Sequence, residues 1–324
     1  MHTPRLIRRI LVTTGLLFAL AVLFTDSQAH ASTPGSNGKI IFVANTNGSW
    51  QIYTINPDGT AMTQLTHLPA TLFELWLPNF SPDGQRIVFG YGSSAGGLAD
   101  VCVANADGTG IVQLTHDASN LFAHWAPDGN HIIFDKLSLL TGQLVVATMR
   151  ADGSDVVPLT NSFQLGNYGG IYTPDGKQIG FGSSIGGLVT AAWIMDADGH
   201  NQKRLTSPGI EASAIWDISP DGQKLVFWSH NTGTLPYAIY TINLDGGGLK
   251  QLTHSGFHHD LQPSFSPDGN KIVFVSDRFN ANSNLDLFVM NADGSDVTRI
   301  APGLTLGGCG DFNCVGPSWG IQIP

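Results

Sequence analysis

Apolar residues in this chain come in short runs, each closed by a polar turn. Residues 263–301 show the pattern most clearly. Pro263–Phe265 is a brief apolar stretch that ends in Ser266-Pro267-Asp268-Gly269. Lys271–Ser276 (KIVFVS) is rich in β-branched and aromatic residues. Leu285–Asn291 (LDLFVMN) alternates until Ala292-Asp293-Gly294, and Val297–Ala301 follows. Such runs predict four short strands. Ser-Pro-Asp-Gly orders Ser, Pro, Asp and Gly as a β-turn prefers them, so these acids are expected at hairpin corners and not at a catalytic centre.

The pattern repeats. Pro82, Pro127, Pro174, Pro220 and Pro267 each open a Pro-Asp-Gly, at spacings of 45, 47, 46 and 47 residues. A second Asp-Gly series runs through Asp58, Asp107, Asp152, Asp198, Asp245 and Asp293. Leu-Thr recurs at Leu65, Leu114, Leu159, Leu205 and Leu252. Three markers with one period define a repeat architecture, and four antiparallel strands per repeat define an all-β fold, the β-propeller. The first repeat lacks its first strand: Gly38–Phe42 matches a second strand, and Pro317-Ser318-Trp319 matches a first one. The expectation is therefore six blades, one of them a composite of both terminal segments. A single domain would fill residues 38–324, after a linker at 32–37.

Composition agrees with this picture: 12% charged residues with 39 Gly and 17 Pro in 324 suit an all-β globular chain. Residues 1–31 stand apart. Arg5, Arg8 and Arg9 precede an apolar run from Ile10 to Phe24, and Ala29-His30-Ala31 offers a cleavage site. This predicts a secretory signal peptide, export to the periplasm, cell envelope or medium, and no stable membrane insertion after cleavage. The net charge of −10 belongs largely to the turns, because removing the eleven Asp of the Asp-Gly pairs leaves fourteen acids against fifteen bases. No basic cluster exists, which argues against nucleic acid as a partner.

The wording of residues 266–299, SPDGxxIxF, then SDR, then NxDLFVMNADGS, closing on an apolar strand where sister repeats have Leu-Thr, resembles the TolB-like six-bladed propeller family with its WD-like repeats. The resemblance spans about residues 38–320 and implies the fold. It does not imply one task, since this fold serves many. Relatives of the TolB type place a separate α/β domain before the propeller, and the chain is expected to lack one, so their particular partners are not carried over.

All Asp-Gly turns join strand one to two or strand three to four and so share one face. The opposite face carries loops of varied length and composition, where recognition is expected. Residues just before the innermost strands give the channel-mouth candidates Glu74, Asn120, Asn167, Glu211, His258, His259 and Asp260. His258-His259-Asp260 with Glu74 or Glu211 is a weak candidate for a divalent metal, since imidazole and carboxylate suit Zn²⁺ or Mn²⁺; hydrogen bonding within the loops is the plainer expectation, so no cofactor is expected. His124, beside Trp125, either faces the channel or fills a blade contact. Gly92-Ser93-Ser94-Ala95-Gly96, whose residues 93–96 lie outside those the structure describes, and Gly182-Ser183-Ser184-Ile185-Gly186 both fit G-x-S-x-G but are expected to be hairpin loops, with no helix to form a nucleophile elbow. Cys309 and Cys314 are expected to form a disulfide in an exported chain, and Cys102 to lie in the core.

The sequence reads as an exported, monomeric binding module for a protein, peptide or glycan, without catalysis of its own. A metal-dependent propeller enzyme such as a polysaccharide lyase is the alternative, and a structural or sensor scaffold the third reading.

Overall fold

The computed structural model describes residues 35–46, 48–69, 74–92, 99–161, 165–185, 189–207, 210, 214–229, 236–254, 256–279, 284–306 and 316–322. They form six four-stranded antiparallel sheets, each ordered one to four from the centre outwards. Blade 1 combines Ser318–Ile321 with Asn37–Asn45, Trp50–Ile55 and Thr63–Gln64. Blade 2 holds Glu74–Phe80, Arg86–Gly92, Asp100–Asn105 and Val112–Gln113; blade 3 holds Asn120–Trp125, His131–Leu137, Leu144–Arg150 and Val157–Pro158. Blade 4 is built from Leu165–Tyr172, Gln178–Ile185, Val189–Asp196 and Lys203–Arg204. Ala214–Ile218, Lys224–Ser229, Ala238–Asn243 and Lys250–Gln251 make blade 5. Asp260–Phe265, Lys271–Ser276, Leu285–Asn291 and Thr298–Leu306 make blade 6. The innermost strands touch in succession and close the ring. Ile40 pairs with Trp319 and Ile41 with Ser318, so the composite blade is formed as the repeat requires.

The core is one residue type in one place, six times over. Phe42, Phe89, Phe134, Phe181, Phe227 and Phe274 all lie on second strands and are essentially buried. In four blades the partner on strand three is also aromatic: Tyr53, Trp193, Tyr240 and Phe288. Cys102 takes that position opposite Phe89 and is buried. Each phenyl ring contributes about 2 kcal/mol by burial.

The repeated turns do more than reverse the chain. Gly108, at φ +85°, packs against the Leu65 carbonyl of the preceding blade so closely that a Cβ would collide with it. The same contact joins Gly59 to Ile300, Gly153 to Leu114, Gly199 to Leu159, Gly246 to Leu205 and Gly294 to Leu252, once at each junction. The aspartates serve their own turns: Asp293 accepts from the Ser295 hydroxyl (2.6 Å) and N–H (2.9 Å), which hold its pKa below the usual value. Leu-Thr also has a mechanism. Outermost strands in five blades are only two residues long, and the next Thr hydroxyl accepts a strand-three N–H, as from Ala192 to Thr206 (3.2 Å).

Candidate functional site

Each innermost strand runs from the loop face towards the Asp-Gly face, and a β-bulge interrupts it in blades 2 to 6. The bulge puts Leu77, Phe122 and Gln262 at positive φ (32°, 48° and 54°), with Gly169 at the same position in blade 4. Such backbone costs about 1 kcal/mol per non-glycine residue. In return, Leu77 and Trp216 meet beside Gly316 near the axis, where a Cβ on Gly316 would lie 2.8 Å from Trp216 Nε1. Phe122 packs edge-on against Trp216 at 5.9 Å, and Trp216 against Trp228 at 6.4 Å. An apolar layer thus crosses the channel.

Beneath it lies a waist with one side chain from each blade: Asn79, His124, Ile171, Asp217, Ser264 and Ser318. They border a cavity of about 60 Å³, space for a few waters. Asp217 accepts from Ser264 Oγ (2.9 Å) and Phe265 N (2.8 Å) of the next blade. Burial raises its pKa to about 6, and these bonds oppose the rise. His124 lines the same cavity, and burial lowers its pKa to about 4. Asp135, fully buried between blades 3 and 4, accepts from Gly169 N at 2.7 Å; desolvation still raises its pKa well above the ordinary value.

The mouth residues named from sequence lie elsewhere. Asn120 is buried and donates to Asp117 Oδ1 (2.6 Å) and Thr115 Oγ1 (3.0 Å), tying its loop to the strand. Asn167 is buried and donates to the Asn161 carbonyl (2.9 Å). Glu74 opens the first strand of blade 2 opposite Gly92. Glu211, Cys309 and Cys314 lie outside the described residues, so the metal set and the disulfide that include them do too.

Blade 6 does gather its three. Fully buried Asp260 pairs with Arg278 at 2.7 Å, and its second carboxylate oxygen has no hydrogen-bond partner. His259 donates its N–H to Asp277 Oδ1 (2.7 Å), accepts Tyr237 N at Nδ1 (3.3 Å) and packs on the Tyr237 ring. His258 is exposed, 3.9 Å from Asp277. Among the described residues no three His, Cys, Asp or Glu side chains converge as a metal centre would need. Asp277 and Arg278, which complete this cluster, were visible only as the SDR wording.

Ser183 and Ser184 correct one expectation. They belong to the second strand of blade 4, paired with Asn167 and Gly166, and not to a hairpin loop; Ser183 is buried. The alternating Gly182-Ser183-Ser184-Ile185 simply continues the strand.

Exposed apolar side chains separate the two faces. On the loop face Phe257, Leu139, Leu140 and Phe279 are 96, 89, 81 and 64% exposed. On the repeating side the comparable residues lie on or just before the outermost strands and reach at most 54%, at Val112. Phe257 and Phe279 flank blade 6, Phe279 stacked on Phe288 (5.8 Å) with Arg299 over its outer ring (5.3 Å).

A closed six-bladed propeller with one repetitive face and one individual face is a scaffold that positions loops. The TolB beta propeller domain family matches residues 24–217 and 216–308, and the chain belongs to that family. The Tol-Pal system protein TolB of Anaeromyxobacter dehalogenans (strain 2CP-C) is 37% identical over 93 residues, 28% of this chain. The match spans only 20% of that relative's length. Among solved structures, TolB from Acinetobacter baumannii superposes with TM-score 0.72 at 20% identity, covering 88% of this chain and 67% of the other. An oligogalacturonate lyase in complex with manganese gives 0.54 at 17% identity, covering 85% and 76%. At such identities the likeness establishes the fold alone.

Proposed function

We propose that this protein is an exported recognition module, carried across the membrane by residues 1–31, that holds a protein or peptide partner on the face opposite the Asp-Gly turns. The observation that carries this reading is the set of four strongly exposed apolar side chains on that face, Phe257, Phe279, Leu139 and Leu140. Rigid sheets hold them, and each sits on a connection that the repeat leaves free to vary. Exposed aromatic residues within a polar surround mark association surfaces. His258, next to Phe257 in the chain and exposed, is available as a polar contact for the same partner. The resemblance to proteins named for the Tol-Pal system supports a protein partner in the periplasm. The reading takes the chain as a monomer without catalysis.

Affinity capture from an envelope fraction tests it. The wild type should retain a saturable partner, and the Phe257→Ser, Phe279→Ser double variant should lose most of it, since anchor residues dominate such interfaces. Equal capture by both proteins would refute this face. The lyase alternative requires stoichiometric Mn²⁺ or Zn²⁺ after purification without chelator. Its weakest point is Asp260, whose carboxylate is already paired with Arg278.

A further inference from the structure

Asp-Gly is a chemically labile pair. Glycine has no Cβ to shield its nitrogen, so that nitrogen can attack the aspartate carboxyl group and lead to isoaspartate. This chain carries eleven such pairs and restrains them in a common way. Each glycine N–H is engaged by the carbonyl three residues earlier, at 2.8–3.0 Å. Each carboxylate accepts the N–H two residues further on, at 2.7–3.1 Å.

A third restraint is present in ten of the turns and missing from one. In eight a hydroxyl two residues before or after also donates to the carboxylate, at 2.5–2.7 Å. In two an imidazole takes that place, His131 at 2.6 Å and His200 at 3.1 Å. The hydroxyl bond is the main reason that Asp58, Asp107, Asp152 and Asp293 lie below the usual carboxylate pKa, in the ionised form that has no OH to lose. Among the described residues Asp245 has the Gly247 N–H alone (2.7 Å), because glycine stands where sister turns have Thr60, Thr109, Ser154 and Ser295. The same turn stands farthest from the blade before it. A Cβ on Gly246 would lie 3.3 Å from the Leu205 carbonyl oxygen, against 2.1–3.0 Å at the other five junctions. Asp245 is exposed, and Gly247 and Gly248 follow it, so the backbone is freest here.

We propose that Asp245-Gly246 is a site of spontaneous isomerisation, where this protein acquires isoaspartate ahead of its other ten Asp-Gly pairs. Gly246 N bonds to Asp245 Cγ, and the amide hydrogen leaves with the carboxyl OH as water. One water then opens the five-membered imide at the α-carbonyl carbon, after which the main chain runs through Cβ. Overall no atom is gained or lost, and no oxidant takes part. Bringing the two atoms together breaks one hydrogen bond fewer at Asp245 than in the other turns. Lys203 Nζ donates to the Asp245 carbonyl (3.1 Å), which draws electrons from that peptide group and makes the Gly246 N–H more acidic. The added main-chain methylene falls in the turn that packs on Leu205, so the junction of blades 4 and 5 loosens as the protein ages. The site does not depend on the recognition surface around Phe257 and Phe279.

Peptide mapping by mass spectrometry, with fragmentation that separates aspartate from isoaspartate, tests this on the folded protein during warm incubation at neutral pH. Asp293-Gly294 is the matched control: Lys250 donates to its carbonyl (2.9 Å) as Lys203 does at Asp245, but Ser295 holds the carboxylate. In the folded protein isoaspartate should form about tenfold faster at 245 than at 293, the factor expected of one hydrogen bond to a charged group, and in urea at similar rates. Gly247→Ser should slow residue 245 by a like factor, since its Cβ would start 3.2 Å from Asp245 Oδ1. Ser295→Gly should quicken residue 293 to match. Hydrogen exchange across residues 203–206 should speed up in aged wild type and not in aged Gly247→Ser. A folded-state ratio no larger than the ratio in urea, or indifference to Gly247→Ser, would overturn the proposal. So would an unmodified Asp245 after a time that converts it in urea. Conversion at 245 with unchanged exchange across residues 203–206 would overturn the loosening of the junction.

Discussion

The two faces of this propeller are made by different rules. On the Asp-Gly face each turn repeats its neighbour, and its glycines press against the preceding blade once per junction. On the loop face the connections between strands range from three residues to eleven, and the side chains with the greatest exposure belong there. Contact between blades fixes the sequence of the first face. The second is released from that duty because the bulges and the apolar layer around Trp216 close the channel below it. A residue that recurs in every blade therefore speaks for assembly, and one that occurs once speaks for recognition.

Two glycines can break or confirm this division. Gly108 and Gly142 both have positive φ, +85° and +67°, so alanine strains either backbone similarly. Gly108 faces the Leu65 carbonyl, whereas nothing lies within 4 Å of a Cβ at Gly142, on the loop face. Gly142→Ala should cost about 1 kcal/mol, the strain alone. Gly108→Ala should cost roughly 3 kcal/mol or more, because two blades must separate. Equal midpoints in urea would show that the turns do not join the blades.

Asp217 sits between the two faces and offers a larger effect than its single position suggests. Its folded pKa, about 6, lies above the ordinary 3.8, so between these values the folded state holds more protons than the unfolded chain. Stability due to Asp217 is then highest at low pH and falls as pH rises from about 4 through 6, by about 2–3 kcal/mol. Asp217→Asn should remove this fall. Its urea midpoint relative to wild type should improve between pH 4.5 and 7.5, and a constant difference would mean that Asp217 ionises in the fold as freely as in the unfolded chain.

Much of this was legible in the sequence, because the period is written by turns. Pro-Asp-Gly and Leu-Thr recur wherever a blade needs a hairpin or a satisfied strand edge, and the split first repeat foretold the pairing of Ile40 with Trp319. The channel was harder to read. A strand alternates sides with period two, but the bulge adds a residue: Asn120 is paired with Lys136 and His124 with Ile133, three residues apart on the partner strand. The two therefore occupy opposite faces of the blade although their numbers are both even. Asp260 and Ser264 are separated in the same way. Residues two before each Ser-Pro-Asp-Gly, such as Asn79, Asp217 and Ser264, were the better guide to the waist. The inter-blade role of the turn glycines was also hidden, since the period reports what lies within a blade and not what it leans on.

Where the repeat hands over to the free loops, a hydroxyl marks the boundary. Thr206 Oγ1 accepts Ala192 N at 3.2 Å and is buried. Thr206→Val keeps the shape and orphans that N–H, so a loss of about 1–2 kcal/mol is expected in chemical denaturation. No loss would mean that water takes over the bond and that the boundary is looser than the geometry indicates.

The finest comparison lies within the loop face itself. Phe279 is 64% exposed but stacks on Phe288 beneath Arg299, and Phe257 is 96% exposed. Phe279→Ser should lower stability by about 0.5–1 kcal/mol, the worth of an aromatic pair. Phe257→Ser should leave the unfolding midpoint within about 0.5 kcal/mol of wild type, because almost none of its surface is buried. A side chain that contributes so little to folding, held out on a rigid scaffold, has its consequence in binding. If Phe257→Ser instead lowers stability as much as Phe279→Ser, the ring is packed in solution, and the strongly exposed apolar side chains of this face reduce to Leu139, Leu140 and the partly stacked Phe279.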